Sequence, residues 1–311
     1  MISAKVICDS ISPSGVRLTT LELQYHRFVH SEMMTHRIFS RNASSSRAIP
    51  VEKMLKQVKE NPAIPIHWGK NRPGMQAREE CNNLVTMDWD YYNDCECTGT
   101  REMAWKEAAD NAGSKARAFG FAGYHKQVVN RLLEPFQWIS VVVTATEWDN
   151  FFKLRLHKDA QPEIQELARC MKTAMNESIP VELQPGDWHL PYVRSDIQED
   201  ELWEGLNTVC PVFNYEKAIK CSVARCARVA VLKHDGTYPS IEDDLKLYDR
   251  LVGSSPEHAS PCEHVATPMD NPSFDIPGIS HMDKFGNYWS GNFKGWRMYR
   301  KILEDTNWGR P

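Results

Sequence analysis

The sequence has no long hydrophobic run. No apolar stretch approaches the roughly 20 residues that a membrane-spanning helix needs, and the first ten residues lack the apolar core of a secretory signal. The formal net charge of -4 argues against a protein that coats nucleic acids without sequence preference, so any basic site has to be local. We therefore expect a cytoplasmic protein with no membrane partner and no stable nucleic-acid partner.

The sequence also lacks paired metal-binding cysteines and a dinucleotide fingerprint. Its nine cysteines are an odd number without framework spacing, which predicts reduced thiols. Two groups, Cys81 with Cys95 and Cys97, and Cys221 with Cys226 beyond Cys210, have no C-x-x-C spacing, so zinc is a minority alternative and no residue is assigned to a metal. No glycine-rich turn follows a predicted strand, which argues against a Rossmann domain.

What is present is a dense polar stretch. Residues 36–47 contain three arginines, one histidine, one asparagine and four serines. Guanidinium groups pair with phosphate oxygens in a forked geometry, and hydroxyl and amide groups fill the remaining directions, so the stretch predicts a phosphate or anion site. An exposed basic loop or a serine-rich linker is the alternative, but neither needs His36 and Asn42.

The stretch resembles the signature of the flavin-dependent thymidylate synthases. That signature runs Arg-His-Arg, two residues, Ser, one, Asn, Glu, one, Ser, one, Arg, Tyr, and six positions here match it: His36, Arg37, Ser40, Asn42, Ser45 and Arg47. Thr35, Ala43 and Ala48 depart from it, and Glu32 stands where the family has Gln beside the nucleotide. These departures surround the expected nucleotide and flavin, so substrate choice can differ from that of the family.

Two later stretches resemble the same family in the same order. Residues 131–135, Arg-Leu-Leu-Glu-Pro, are similar to its Arg-x-x-Leu-Pro element. Residues 149–157 and 160–164 are similar to its Asn-Phe-Leu-x-Leu-Arg and Ala-Gln-x-Glu-Ile run. This agreement lies about a hundred residues beyond the first and supports it independently.

A further element follows the signature in this sequence, whereas in the family it precedes the signature. Residues 258–264, His-Ala-Ser-Pro-Cys-Glu-His, resemble the family's His-x-Ser-x-x-Glu-His element, and residues 222–228 resemble an amino-terminal family helix. Circular permutation explains both, because it is tolerated where chain termini lie close together. The alternatives are coincidence and a zinc site built from His258, Glu263 and His264.

The pattern and the resemblance together predict an α+β fold in which a mixed or antiparallel sheet is flanked by helices. We expect one domain over 1–311, with an insertion loop at about 61–99 and a carboxyl-terminal extension at about 268–311. Residues 4–8 and 16–25 alternate as a hairpin. Helices are predicted over 51–60, 75–85, two pieces of 102–134, 162–178, 218–232 and 241–251, with a loop over 88–99. Local propensity predicts a strand over 137–146, whereas the resemblance predicts a helix, and we follow the resemblance.

The resemblance implies reductive methylation of dUMP at carbon 5, with FAD as cofactor and methylenetetrahydrofolate and NADPH as co-substrates. Arg155 would be catalytic, since a fixed cation beside the uracil carbonyl stabilises the electron-rich form. The implied substrate-binding residues are Glu32, Ser45, Arg47, Arg131 and Arg155. The implied cofactor-binding residues are His36, Arg37, Ser40, Asn42, Thr144, Asn150, His258 and Ser260. Family members are tetramers with shared active sites, which implies a homotetramer.

Besides a zinc protein built on His258, Glu263, His264 and the cysteines, two alternatives stay open from the sequence. Within the class, the substrate could be UMP or another pyrimidine nucleotide, and the product could be hydroxymethylated. A non-catalytic nucleotide- or RNA-binding module could use the same basic stretch. Ser45 as a nucleophile is disfavoured, because no histidine and carboxylate of recognisable spacing flank it.

Overall fold

A computed structural model describes residues 1–90, 95–193, 202–204, 212–231 and 236–306. The strands are β1 Ser3–Ile11, β2 Arg17–His26, β3 Ser40–Ala43, β4 Val85–Asp90, β5 Cys95–Gly99, β6 Trp138–Ala145, β7 Val181–Glu182, β8 Trp203–Glu204, β9 Val212–Phe213, β10 Ala266–Pro268, β11 His281–Met282, β12 Tyr288–Ser290, β13 Phe293–Lys294 and β14 Trp296–Met298. The helices are α1 His30–Met34, α2 Val51–Glu60, α3 Arg101–Phe121, α4 Lys126–Val129, α5 Asp149–Arg155, α6 Pro162–Glu177, α7 Tyr215–Arg228, α8 Ile241–Val252 and α9 Tyr299–Thr306, with short 3-10 helices at Arg27–Val29, Asn130–Phe136 and Ser260–His264.

A five-stranded sheet organises the first 182 residues. Its strand order is β3-β6-β2-β1-β7, and all neighbours are antiparallel except β1 and β7, which are parallel. Helices pack against the sheet, so the predicted α+β class and the mixed sheet are confirmed. The predicted hairpin of β1 and β2 is also confirmed, and its turn ends at Gly15, whose positive φ of 80° suits glycine.

The helix predicted over 137–146 from the resemblance is wrong, because β6 occupies these residues. Residues 138–145 pair with β2 along one edge of the strand. Residues 141–144 also pair with β3 along the other edge. β-branched side chains suit a pleated, buried surface, and the ladders on both edges satisfy the backbone. Local propensity was therefore the better guide here.

The two faces of the sheet differ in character. One face carries Leu21, Leu23, Val141 and Val143 against α6, whose apolar residues recur at helical spacing: Ile164, Leu167, Ala168, Met171 and Met175. Burying each such side chain contributes about 2 kcal/mol. The other face carries Thr20, Thr144 and Ser40 at directly opposed positions of three adjacent strands. Polar side chains thus follow the second face.

The helix α6 confirms the prediction for 162–178. Pro162 occupies its first turn, where the missing N–H costs nothing, and the Gln161 side chain accepts a hydrogen bond from the backbone N–H of Ile164 at 3.1 Å. The predicted helix over 51–60 matches α2, and the two predicted pieces of 102–134 match α3 and the shorter helices after Gly123.

Two expectations for residues 61–99 are wrong. The helix predicted over 75–85 is absent from the structure, because backbone groups in this segment bond to distant partners: the Glu79 carbonyl accepts from the Lys70 N–H at 2.7 Å, and the Cys81 N–H donates to the Trp68 carbonyl at 2.8 Å. The loop predicted over 88–99 is instead the antiparallel hairpin of β4 and β5. Cross-strand pairing therefore overrides the good helix formers Ala77 to Glu80.

A second apolar core lies in the carboxyl-terminal half. It joins α7, α8, the 3-10 helix Ser260–His264 and α9 through residues that include Ile219, Val223, Tyr248, Val252, Cys262 and Leu303. The helices predicted over 218–232 and 241–251 are confirmed as α7 and α8, and Ser240 with Asp243 forms the expected capping box. No helix in the described ranges is long and apolar enough to cross a membrane.

Candidate functional site

The signature stretch is held in shape by Arg41. Its Nη1 donates hydrogen bonds to three backbone carbonyls, those of Met33 at 3.0 Å, Met34 at 3.1 Å and His36 at 2.9 Å. The last carbonyls of a helix have no partner within the helix, so a guanidinium at this point satisfies the end of α1 and fixes the turn that follows. This turn carries Thr35, His36 and Arg37 toward α5.

Arg155 at the end of α5 joins this turn. Its Nε donates to His36 Nε2 at 2.8 Å, and its Nη2 donates to Thr35 Oγ1 at 3.0 Å and to the Glu32 carbonyl at 3.4 Å. The structure therefore brings together three predicted site residues, Glu32, His36 and Arg155. Thr35, a departure from the family signature, supplies one of the contacts.

His36 is held neutral in this cluster. Burial, together with the positive charges of Arg155 and Arg41, lowers the pKa of His36 to about 4. Because its Nε2 accepts from Arg155, the proton of the ring sits on Nδ1. The ring also packs against Phe39 and, edge-on, against Phe151 at a centroid distance of 4.8 Å. The neutral, packed His36 ring thus supports the Arg155 guanidinium through Nε2, and Arg41 lies on its backbone side.

The other end of the signature lies by a second cluster of charge, around Glu134. Its Oε1 accepts from Arg27 at 2.9 Å, Arg131 at 3.0 Å and Ser46 Oγ at 3.4 Å. Asn130 ties the same loop down by donating to the Ser46 carbonyl at 2.7 Å. The predicted phosphate ligands Ser45, Arg47 and Arg131 are exposed around this cluster.

Ser40, Asn42 and Thr144 lie on the polar face of the sheet. Thr144 is fully buried, and its hydroxyl contacts Thr20 Oγ1 at 2.7 Å and His264 Nδ1 at 2.8 Å. Ser40 Oγ and Asn42 Oδ1 are buried without a hydrogen-bond partner among the described residues. Unpaired buried polar atoms are costly, so this layer fits a polar group supplied from outside the chain, such as the ring edge of a flavin.

The segment 258–264 reaches the signature only in part. His264 contacts Thr144, and Glu263 forms an ion pair with Arg300, so this distant segment does pack beside β3 and β6. The proximity agrees with the permutation hypothesis. His258 and Ser260 themselves are exposed. No hydrogen bond or ion pair in the described part of the chain directly links Arg47, Arg155 and His258.

Arg37 and Asn150 are also exposed. The Arg37 carbonyl accepts a hydrogen bond from Asn292 Nδ2 at 3.4 Å, which connects residues 268–306 to the signature. The same segment reaches the end of β6, where the Lys294 backbone N–H donates to Thr146 Oγ1 at 3.2 Å. Residues 268–306 therefore border the candidate site.

The zinc alternative finds no support in the described ranges. No three His, Cys, Asp or Glu side chains there are grouped to hold a metal ion. His264 uses Nδ1 for Thr144, and Cys221, Cys226 and Cys262 are buried thiols. Cys210 and the side chain of Cys95, which belong to the two cysteine groups considered above, lie outside the described part.

An open cleft of about 480 Å³ lies elsewhere, between α5 and α6. It is lined by Arg17, Thr146, Glu147, Trp148, Asp149, Phe152, Lys153, Leu156, Lys172, Met175 and Asn176, and none of the predicted site residues is among them. Arg17 is already engaged there, since it pairs with Asp9 and donates to the Met175 carbonyl at 2.8 Å. The volume alone does not identify this cleft as the reaction site.

Several residues of the site were not predicted from the sequence. Arg41 lies inside the signature stretch, and its place between Arg37 and Arg47 was the available signal. Glu134 and Thr20 contact partners 88 to 169 residues away. His189 is fully buried between Ser10 and Thr20, at a position where no sequence motif was recognised.

The model of the thymidylate synthase complementing protein family (Thy1) matches residues 15–181, more than half of the chain. The range includes the signature, Arg131 and Arg155, and ends before residues 258–264. A search of curated proteins gives no match.

Three solved structures are similar at low identity. Two are of the UMP/dUMP methylase PolB from Streptomyces cacaoi, bound with 5-Br UMP and with 5-Br dUMP; both are 15% identical, both cover 57% of this chain, and they cover 89% and 90% of their own chains, with TM-scores of 0.39 and 0.42. The third is the flavin-dependent thymidylate synthase ThyX from Helicobacter pylori complexed with FAD and dUMP, 16% identical over 52% of this chain and 70% of that chain, with a TM-score of 0.32. At these values the three support no inference about function.

Proposed function

Because the chain belongs to the family of thymidylate synthase complementing proteins, and is an enzyme of the methyltransferase type, we propose that it methylates dUMP at carbon 5 to give dTMP. The co-substrates are methylenetetrahydrofolate as carbon donor and NADPH as reductant, and the cofactor is FAD. When bound, FAD supplies the redox chemistry that amino-acid side chains lack. UMP, another pyrimidine nucleotide, or a hydroxymethylated product is the alternative within this class.

The observation that carries the proposal is the 2.8 Å hydrogen bond from Arg155 Nε to His36 Nε2. It joins two stretches that resemble the family and are 119 residues apart in sequence. The contact uses Nε, and Nη2 serves Thr35 and Glu32, so Nη1 is the nitrogen that we assign to the uracil carbonyl. A cation fixed by three such bonds needs no reorganisation when negative charge develops on the base.

The Glu134 cluster supports the phosphate role. Arg27 and Arg131 both contact one carboxylate, so the guanidinium pair is already assembled on the loop that carries Ser45 and Arg47. A nucleotide phosphate would compete with Glu134 for Arg131, which is the more exposed of the two arginines. We assign Ser45, Arg47 and Arg131 to the phosphate, and Glu32 to the neighbourhood of the base.

The remaining residues belong to the cofactor in this proposal. Ser40 and Asn42 offer unpaired polar atoms beside β6, His36 offers a neutral ring, and Arg37 and Asn150 offer exposed side chains at the rim. Thr144 would act indirectly, through its hydrogen bond to His264. His258 and Ser260 would contact the folate or the edge of the flavin ring. We also propose the homotetramer that the family resemblance implies, in which the exposed side chains of Arg47, Asn150 and His258 would be available to a neighbouring chain. We further propose one domain over 1–311 and a cytoplasmic location.

The test is transfer of a labelled one-carbon unit from methylenetetrahydrofolate to a nucleotide by the FAD-supplemented protein. We expect label at carbon 5 of dUMP, and parallel reactions with UMP and dCMP decide between the substrates. A protein that binds the nucleotide but never acquires flavin absorbance, even with added FAD, would instead be a binding module.

A further inference from the structure

A continuous line of buried hydrogen bonds crosses the polar face of the sheet. His189 Nδ1 meets Ser10 Oγ at 2.9 Å, and its Nε2 meets Thr20 Oγ1 at 2.7 Å. Thr20 Oγ1 meets Thr144 Oγ1 at 2.7 Å, and Thr144 Oγ1 meets His264 Nδ1 at 2.8 Å. The four bonds join β1, β2, β6 and the 3-10 helix Ser260–His264. We call these five residues the histidine–threonine line.

The line can be ordered in only two ways if every threonine hydroxyl proton is used within it, as is expected because an unused polar proton in the interior is costly. Each threonine hydroxyl has one proton, so under this condition it donates to one partner and accepts from the other. Burial lowers the pKa of both His189 and His264 to about 3, so each ring is neutral and carries one proton. All the bonds must then run in the same direction, either from His189 to His264 or the reverse.

The His189 end of the line selects one direction. At this end, Nδ1 faces the Ser10 hydroxyl and also the Cys8 thiol at 3.4 Å. Burial raises the pKa of Cys8 to about 12, so its thiol keeps its proton and can donate. A bare Nδ1 can accept from both the thiol and the hydroxyl, whereas a protonated Nδ1 could serve only one of them, so we take His189 Nε2–H to donate to Thr20, Thr20 to Thr144, and Thr144 to His264 Nδ1. The proton of His264 then sits on Nε2.

That proton points into an unsatisfied layer. His264 Nε2 is buried without a partner among the described residues, and so are Ser40 Oγ and Asn42 Oδ1. Ser40 lies directly opposite Thr144 on the antiparallel ladder, and Asn42 lies two residues along the same strand. Opposed residues of a ladder point to the same face, so all three atoms belong to the layer between β3 and the 3-10 helix.

We propose that Thr20 and Thr144 are positioning residues that act through His264: the line fixes His264 as the Nε2–H tautomer, and so presents a hydrogen-bond donor beside Ser40 and Asn42. This inference rests on the proposed function for its consequence, because that layer is where we assign the flavin. The claim that Thr20 sets the tautomer of His264 without contacting its ring does not depend on any cofactor.

The tautomer is measured by ¹⁵N spectra of protein labelled in histidine, with the His264 signals assigned from the variant H264N. We expect a protonated Nε2 and a bare Nδ1. In T144V, which removes the donor to Nδ1, the two nitrogens of His264 should move toward averaged positions. The variant T20V should move them in the same sense, because Thr144 is then free to accept from Nδ1 as well as to donate to it.

Two variants control the interpretation. T20S keeps the hydroxyl and should retain the wild-type nitrogen positions if the hydroxyl, rather than packing, sets the tautomer. T267V changes another buried threonine, whose hydroxyl accepts a 3.4 Å bond from the Gly186 backbone, and should leave His264 unaltered. A wild-type His264 protonated on Nδ1, or one that T20V does not shift, overturns the proposal.

The consequence is measured as the dissociation constant for FAD. A net neutral hydrogen bond corresponds to a change of about fivefold to tenfold, so T144V and T20V should weaken FAD binding by that factor while T20S and T267V do not. If the tautomer shifts and FAD affinity stays constant, the positioning role is wrong. If the wild-type protein binds no FAD, the proposed function fails, whereas the spectra still decide whether the line exists.

Discussion

The two faces of the five-stranded sheet are built from the same strands but differ in chemistry. Toward α6, β2 and β6 present Leu21, Leu23, Val141 and Val143, which are fully buried. Toward the carboxyl-terminal half, the alternate positions Thr20 and Thr144 carry hydroxyls that bond to two buried histidines. The first face stabilises the fold. The second face keeps polar groups in the interior, where their burial costs free energy unless they form hydrogen bonds. The comparison teaches that function is to be sought on the second face and along its β3 edge.

The largest expected effect is at Arg155, which contacts the turn that leads into β3. Replacing Arg155 by Met removes the cation and three hydrogen bonds, and we expect kcat to fall by about 100-fold to 1,000-fold. The measurement is labelled one-carbon transfer at saturating FAD and nucleotide. R169M, at an exposed arginine on α6, is the matched control and should retain activity. Equal losses in both variants would remove Arg155 from the chemistry.

The apolar face is tested by stability instead. L167A creates a cavity between α6 and the sheet and should lower the free energy of unfolding by about 2–5 kcal/mol. Urea denaturation measures it, and L84A, at an exposed leucine, should change it by no more than about 0.5 kcal/mol. The affinity of the folded L167A protein for FAD should equal that of the wild type. A weaker affinity of L167A for FAD would contradict the assignment of stability to the apolar face and of cofactor binding to the polar face.

A smaller effect is expected at the Glu134 cluster. R131A removes one exposed guanidinium from the proposed phosphate site, and KM for the nucleotide should rise about tenfold with kcat retained. Steady-state kinetics with dUMP measures it, and R117A, at another exposed arginine, is the control. If KM is the same in both variants, the phosphate lies elsewhere.

The last effect, which is the smallest near neutral pH and grows as the pH falls, concerns the contribution of the polar face to stability. Burial holds the pKa of His189 and His264 at about 3, below the ordinary value of 6.5, so between these values the unfolded state binds more protons than the folded state. The free energy of unfolding therefore rises with pH across this window, and stability is lost as pH falls from about 6.5 toward 3. Urea denaturation at several pH values should give a shallower dependence for H264Q than for the wild type. H281Q, at an exposed histidine, should keep the wild-type dependence.

Much of the local structure could be predicted from the sequence. The hairpin of β1 and β2, the helices α2 and α6 and the capping box at Ser240 depend on neighbouring residues, so periodicity and cap residues were sufficient. The strand β6 was misassigned because the resemblance was preferred to its β-branched composition. The segment 75–85 was misassigned because its backbone partners, such as Trp68, lie outside any helical window.

The site was predictable in its members but not in its grouping. The signature and the stretch around Arg155 were recognised from motif spacing, and the structure joins them through His36. Arg41 and His189 were missed because their partners are backbone carbonyls or hydroxyls, which leave no motif. One end of the signature lies by Arg155 and the other by Glu134 because β3 runs between them. The serine-rich sequence did not indicate that these residues form a strand.

The most direct test of the account is a double-mutant cycle on His36 and Arg155, with one-carbon transfer to dUMP as the readout. Residues that act as one unit give losses that do not add. We predict that H36N combined with R155M is no slower than R155M alone. Losses that multiply in the double variant would contradict the claim that these two residues form a single site.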